Sequence, residues 1–167
     1  MPRTWGYPAG GEKNYAFYVS TTLPMFGFVA NPADNVKLCP LAIPWTMTVD
    51  RICLPIRNSA GNIRCAIYRD NGGLPDGGAL IVESASVAVA VNKLEVTIAD
   101  TLLTPGLYWL AYNNSSDLVS VQTIGAIGVG GVLTTRSYAL AFGAFTDPCP
   151  VTAASSIVAQ MMIRVVP

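Results

Sequence analysis

The chain has 167 residues, ten basic against ten acidic side chains, and no histidine. Only 12% of its residues are charged and its mean hydropathy is +0.44, whereas ordinary soluble domains carry about 25% charged residues. The even balance argues against nucleic acid, acidic substrates or an anionic membrane surface as partners. The charge deficit calls for a surface covered by neighbours, the alternative being a stable monomer dressed in Thr, Ser and Asn.

Residues Met1 to Lys13 are rich in Gly and Pro and read as a flexible or extended N-terminal arm, with Trp5 and Tyr7 as aromatic anchors for a neighbouring surface. The start, Met1-Pro2-Arg3-Thr4-Trp5-Gly6, lacks the apolar core of a signal peptide, so no export is expected. From residue 14 to 167 the chain reads as one β-sandwich domain. Asn14–Ser20 is a first strand. Pro24, Pro32, Pro40 and Pro44 punctuate the next stretch and exclude an interior helix. Thr46–Ile56 and Ile63–Arg69 both alternate with period two, and Asn58–Asn62 between them is a turn, so the pair reads as a hairpin. After the loop Asp70–Gly78, Ala79–Val91 is a strand pair or one bent strand. Lys93–Ile98 alternates cleanly, Leu102–Gly106 turns, and Gly106–Asn113 is an aromatic core strand. Leu118–Thr123, Tyr138–Phe142 and Ser156–Val166 complete the set, with Ile157, Ala159, Met161, Ile163 and Val165 on one face of the last.

This pattern predicts an all-β, antiparallel, jelly-roll-like sandwich with Ile52, Leu54, Ile63, Ile67, Leu94, Val96, Ile98 and Leu110 in one core. A spanning helix needs about 20 consecutive apolar residues. The longest apolar runs, Val87 to Val91 and Ser137 to Phe145, are far shorter, and no membrane partner is expected.

Catalytic chemistry has little to stand on. Without histidine the usual general base and the commonest metal ligand are missing. Ser59, Ser84 and Cys53 sit in plain turn or strand contexts, and Asp50 and Asp100 read as strand-edge or turn residues. The chain therefore reads as a non-enzyme with no cofactor and no metal. Cys39, Cys53, Cys65 and Cys149 form no Cys-x-x-Cys pair and read as buried, reduced thiols. A Cys53–Cys65 bridge or a four-cysteine zinc site is the minority alternative. In Asp70–Gly78 turn chemistry accounts for each residue, against a calcium site that lacks a bidentate Glu. The run Ile124–Gly131 has no Gly-Lys-Ser/Thr ending and is not a phosphate loop. It reads as an apolar loop, with Ile124, Ile127 and Val129 placed to meet a partner.

Several phrases in the middle of the chain occur in a recognisable order. They are Thr48-Val49-Asp50-Arg51-Ile52, Ala60-Gly61-Asn62-Ile63-Arg64-Cys65-Ala66-Ile67-Tyr68, Gly73-Leu74-Pro75 and Leu103-Thr104-Pro105-Gly106-Leu107-Tyr108-Trp109-Leu110-Ala111. This order, over Asp50 to Asn113, resembles a β-sandwich domain of tailed-phage structural proteins, both tail-fibre and head-decoration types. The resemblance implies a virion protein assembled in the host cytoplasm, often trimeric, whose partners are its own copies and the major capsid protein or other virion proteins. A short sandwich with an arm and no preceding shaft fits a capsid decoration or cement protein. A tail-associated receptor- or glycan-binding protein is the alternative, for which stacking would fall to Trp5, Trp45 or the tyrosines. A secreted adhesive module is disfavoured by the missing export signal.

Overall fold

The computed structural model describes residues 15–16, 25–58, 60–117, 119–124, 135–155, 158–159 and 161–166. In chain order the strands are β1 (Tyr15–Ala16), β2 (Met25–Ala30), β3 (Asn35–Ile43), β4 (Met47–Ile56), β5 (Asn62–Arg69), β6 (Leu80–Glu83), β7 (Val87–Ala88), β8 (Asn92–Leu103), β9 (Gly106–Asn114), β10 (Ser120–Ile124), β11 (Thr135–Ala139), β12 (Ala153–Ser155), β13 (Val158–Ala159) and β14 (Met162–Val165). Two antiparallel sheets face each other. One runs β1-β14-β4-β10-β13, with β2 on β10 and β8 on β4. The other runs β12-β11-β3-β9-β5-β6, with β7 also on β5. Among the described residues no helix is long and apolar enough to cross a membrane.

Between the sheets lies the main core. All eight residues expected there are in it, joined by Cys39, Leu41, Ile43, Val49, Ile56, Cys65, Tyr108, Tyr112 and Ile163. The sheet containing β9 is buried on its other face as well. There Val36, Leu38, Ala66, Tyr68, Trp109, Ala111 and Tyr138 pack under Phe145 and Cys149, with Leu80 and Leu140 beside them. Double burial explains why β9 (GLYWLAYNN) reads as a near-continuous apolar run rather than an alternation.

The cover over that second face is a strap, residues 140–152. It is pinned by polar bonds where it crosses the sheet. The Phe142 and Phe145 N–H groups donate to Asp34 Oδ1 and Glu83 Oε2 at 2.7 and 3.0 Å. The Tyr68 hydroxyl donates to the Thr146 carbonyl at 2.7 Å, and Asp147 Oδ1 accepts from the Leu80 N–H at 2.9 Å. Gly78 lies against backbone here: a Cβ on it would sit 2.0 Å from the Arg69 carbonyl oxygen, so only glycine fits.

Several expected elements are corrected. The 46–56 and 63–69 strands are not a hairpin. β4 pairs with β8 and β14, β5 with β9, β6 and β7, and residues 57–61 arch from one sheet to the other. Period-two alternation suits either arrangement, because in both the apolar faces of the two arms must meet something. Here they meet each other across the core. The same geometry separates Cys53 from Cys65 into different sheets, and none of the four buried cysteines is in a disulfide.

The proline-punctuated stretch holds two strands, β2 and β3, and β3 is central. Pro40 pairs with Trp109 on the β9 side. Among the described residues β11 pairs with β3 only from Asn35 to Leu38, so the ladder on that flank asks no N–H of Pro40. β8 continues to Leu103 instead of turning at Leu102. β11 ends at Ala139, and residues 140–142 leave the sheet to begin the strap. Ala79–Val91 is a pair of short strands, both on β5. The last expected strand is divided, with β13 and β14 in one sheet and β12, just before it, in the other. Of the first expected strand, Tyr15 and Ala16 are described, paired with Arg164 and Ile163. The arm at 1–13 lies outside the described residues.

Candidate interaction surface

The two ends of the sandwich differ in chemistry. At one end the β2–β3 and β9–β10 connections are tied together by buried amides. Asn31 Nδ2 donates to Asn114 Oδ1 at 2.5 Å, and Asn114 Nδ2 donates to the carbonyls of Asn31 and Ser116 at 3.1 and 2.8 Å. Asp117 Oδ1 accepts from the Ala33 N–H, and Ser115 Oγ from the Asn62 N–H. Gly61, with φ of +69°, lies so close to Ser115 and Ser116 that a Cβ would come within 2.8 Å of both.

At the opposite end two arches between the sheets lie side by side, because Ile43 pairs with Gly106 and Met47 with Leu103. One arch is Pro44-Trp45-Thr46, the other Thr104-Pro105. Neither the segment 43–48 nor 101–107 contains a charged residue. Trp45 is 59% exposed. On β8, Leu103 turns into the core while its neighbour Leu102 points out and is 64% exposed. Charge stands at the border, in exposed Asp100 two residues before Leu102 and in Arg69 across from Tyr108. Uncharged arches with an exposed tryptophan and leucine inside a charged border have the composition of a protein contact, where Trp is enriched at the centre and charge lies at the rim.

The groups that could do chemistry are otherwise engaged. Asp70 accepts from Trp109 Nε1 and from the Gly73 N–H, both at 2.8 Å. Asp76 accepts from Thr152 Oγ1 at 2.5 Å and faces Arg136 at 4.0 Å. The carboxylates of the Asp70–Gly78 loop thus serve as turn and clamp acceptors. Glu95 pairs with Arg51 at 2.8 Å, Glu83 with Arg64 at 3.1 Å, and Asp50 with Arg164. Among the described carboxylates Asp100, exposed opposite the β4 bulge, makes no such bond. No three Cys, Asp or Glu side chains among the described residues come together as a metal-binding group.

Burial pushes the Cys149 thiol up to about 12, with Asp76 adding to the effect. It raises Cys65 further still, Cys53 adding there. Both are held as thiols, which are poor nucleophiles. Lys37, 7% exposed and on the inward face of β3 between Asn35 and Cys39, is shifted down by burial, partly offset by Cys39.

Of the residues expected to meet a partner, Trp5, Tyr7, Ile127 and Val129 lie outside the described residues. Ile124 ends β10, paired with Met25 and Val158. Trp45, expected only as a stacking ring, and Leu102, expected in a turn, are the exposed apolar side chains of the arches. The signal for both was present in the sequence: an uncharged Pro-Trp-Thr arch, and a second leucine breaking the alternation of β8.

Comparison with known protein families, characterised proteins and solved structures finds no match.

Proposed function

We propose that the chain is a non-enzymatic structural subunit of an assembled particle, in concrete terms a trimeric decoration or cement protein on a tailed-phage head. The observation that carries this reading is the pair of uncharged arches with Trp45 and Leu102 exposed. Such a surface gains by being covered, at roughly 25 cal/mol per Å² of apolar area before association costs. The low overall charge, the engagement of nearly every described carboxylate in holding the fold, and the resemblance over Asp50 to Asn113 support it. The partners in this reading are copies of the chain and the major capsid protein, met in the virion after assembly in the host cytoplasm.

The test is co-sedimentation of the full chain with assembled shells stripped of accessory proteins, with free coat protein as control. Saturable binding to shells by a trimer supports the reading, and a monomer that ignores shells overturns it. The exposed Trp45 ring also favours a second reading, a tail-associated protein that stacks on a glycan. A glycan array run on the same preparation separates the two.

A further inference from the structure

Asn71 is followed by Gly72 in the exposed loop between β5 and β6. Gly72 has φ of +70°, and the place of its missing Cβ is open, with no atom within 4 Å. The backbone N–H groups on either side are taken: Asn71 N–H donates to the Leu74 carbonyl and Gly73 N–H to Asp70 Oδ2, both at 2.8 Å. That of Gly72 makes no hydrogen bond among the described residues. A free, unhindered peptide nitrogen beside a side-chain amide is the arrangement that cyclises.

We propose that Asn71 is a spontaneous modification site, a deamidation switch that loosens the clamp between this loop and the strap. In the step, the Gly72 nitrogen gives its proton to a solvent base and attacks Asn71 Cγ. A C–N bond forms, the Cγ–Nδ2 bond breaks, and Nδ2 leaves as ammonia with a proton from water. Water then opens the cyclic imide at either carbonyl, giving aspartate or, with one more backbone methylene, isoaspartate. No oxidant or cofactor is needed.

The consequence follows from what the amide holds. Asn71 Nδ2 donates to the Asp76 carbonyl at 2.9 Å and closes the loop on itself. Asp76 in turn holds Thr152, and the next residues hold the strap: Gly77 N–H donates to the Cys149 carbonyl and Cys149 N–H to that of Gly78, at 2.8 and 2.9 Å. Deamidation removes the donor and leaves a carboxylate facing a carbonyl oxygen, between Asp70 and Asp76. Repulsion opens the loop, and Cys149 beneath it loses its cover. Asn114, buried and with its amide bonded to other groups, is protected from the same chemistry by its surroundings, whereas Asn31 precedes Pro32, which has no N–H to attack with.

The experiment ages the full chain in mildly alkaline buffer, then digests it and measures peptide masses, with an unfolded sample as control. The mass gain of an amide turned acid on the Asn71 peptide, split into two isomers and ahead of any change at Asn114, is the expected result. Asn71→Gln, which keeps an amide but cyclises poorly, should remove it. Thiol labelling before unfolding should show Cys149 reacting more in aged protein and not in aged Asn71→Gln. An Asn71 that stays intact in the folded chain while the unfolded control converts overturns the site. Conversion without gain of Cys149 labelling overturns the switch.

Discussion

Arg164 is 5% exposed on a strand whose neighbour across the ladder is another arginine, Arg51. The charge is tolerated because Asp50, at the bulge in β4, accepts from both Nε and Nη2. Between the pairs Thr97–Arg51 and Thr101–Val49, β8 has three residues where β4 has Asp50 alone. Asp50→Asn should therefore cost about 3 kcal/mol in denaturant unfolding, the low end for breaking a buried ion pair, since the buried guanidinium loses its charged partner while Asn keeps one acceptor oxygen. Loss of less than about 1 kcal/mol, the range of a surface pair, would show the pair to be superficial.

The buried thiols and phenols set the alkaline limit. Tyr68, Tyr112 and Tyr138 are raised from 10.0 and Cys65 and Cys149 from 9.0, burial being the largest cause in each. Above those ordinary values the unfolded chain releases protons that the native chain retains, so stability present at neutral pH falls as pH rises from about 9 upward. Lys37 works the other way, because its lowered value makes stability rise with pH up to 10.5. One group against five does not reverse the trend. Unfolding midpoints measured from pH 7 to 11 should be level and then decline.

Among elements, the strap is the one without regular structure and with the clearest separate role. Phe145 is buried against Tyr68 in an edge-to-face contact at 6.3 Å between ring centres. Phe145→Ala should cost roughly 3 kcal/mol, the low end for a buried aromatic, because the strap can settle or open locally. Amide exchange would then quicken across residues 140–150 while β4 and β8, which do not touch the strap cluster, keep their protection. Uniform loss of protection would instead make the strap part of one cooperative unit with the main core. The arches show a related point about elements: β3 to β4, β4 to β5 and β8 to β9 all cross between sheets, so consecutive strands face one another and do not pair.

For the whole molecule, the contrast between an end tied by buried amides and an end whose two arches are uncharged and expose Trp45 and Leu102 gives the sandwich a direction. If the arch end seats on a shell, Trp45→Ala should weaken binding by about 2 kcal/mol, roughly 30-fold, with no loss of fold stability because the ring is mostly outside the core. Removing Met1 to Lys13 should likewise leave the sandwich folded and lower shell affinity. Sedimentation with shells reads the first effect and thermal unfolding the second. Unchanged shell binding by both variants would place the contact elsewhere on the surface.

Period-two alternation and turn residues were enough to determine the all-β class and the eight core positions from Ile52 to Leu110, because inward and outward faces are written locally along each strand. The absence of histidine and the scarcity of charge likewise bounded the chemistry. Sheet membership was not local. Whether Ile63, Cys65 and Ile67 lie beside Ile52 and Leu54 or across from them depends on which strands pair, and alternation is blind to that. Exposure was not local either: Trp109 and Trp45 differ because one lies under the strap and the other at an open arch. The strap carries no periodicity, being held by Asp34, Glu83 and Tyr68, which are distant in sequence and come together only when the sheets have formed.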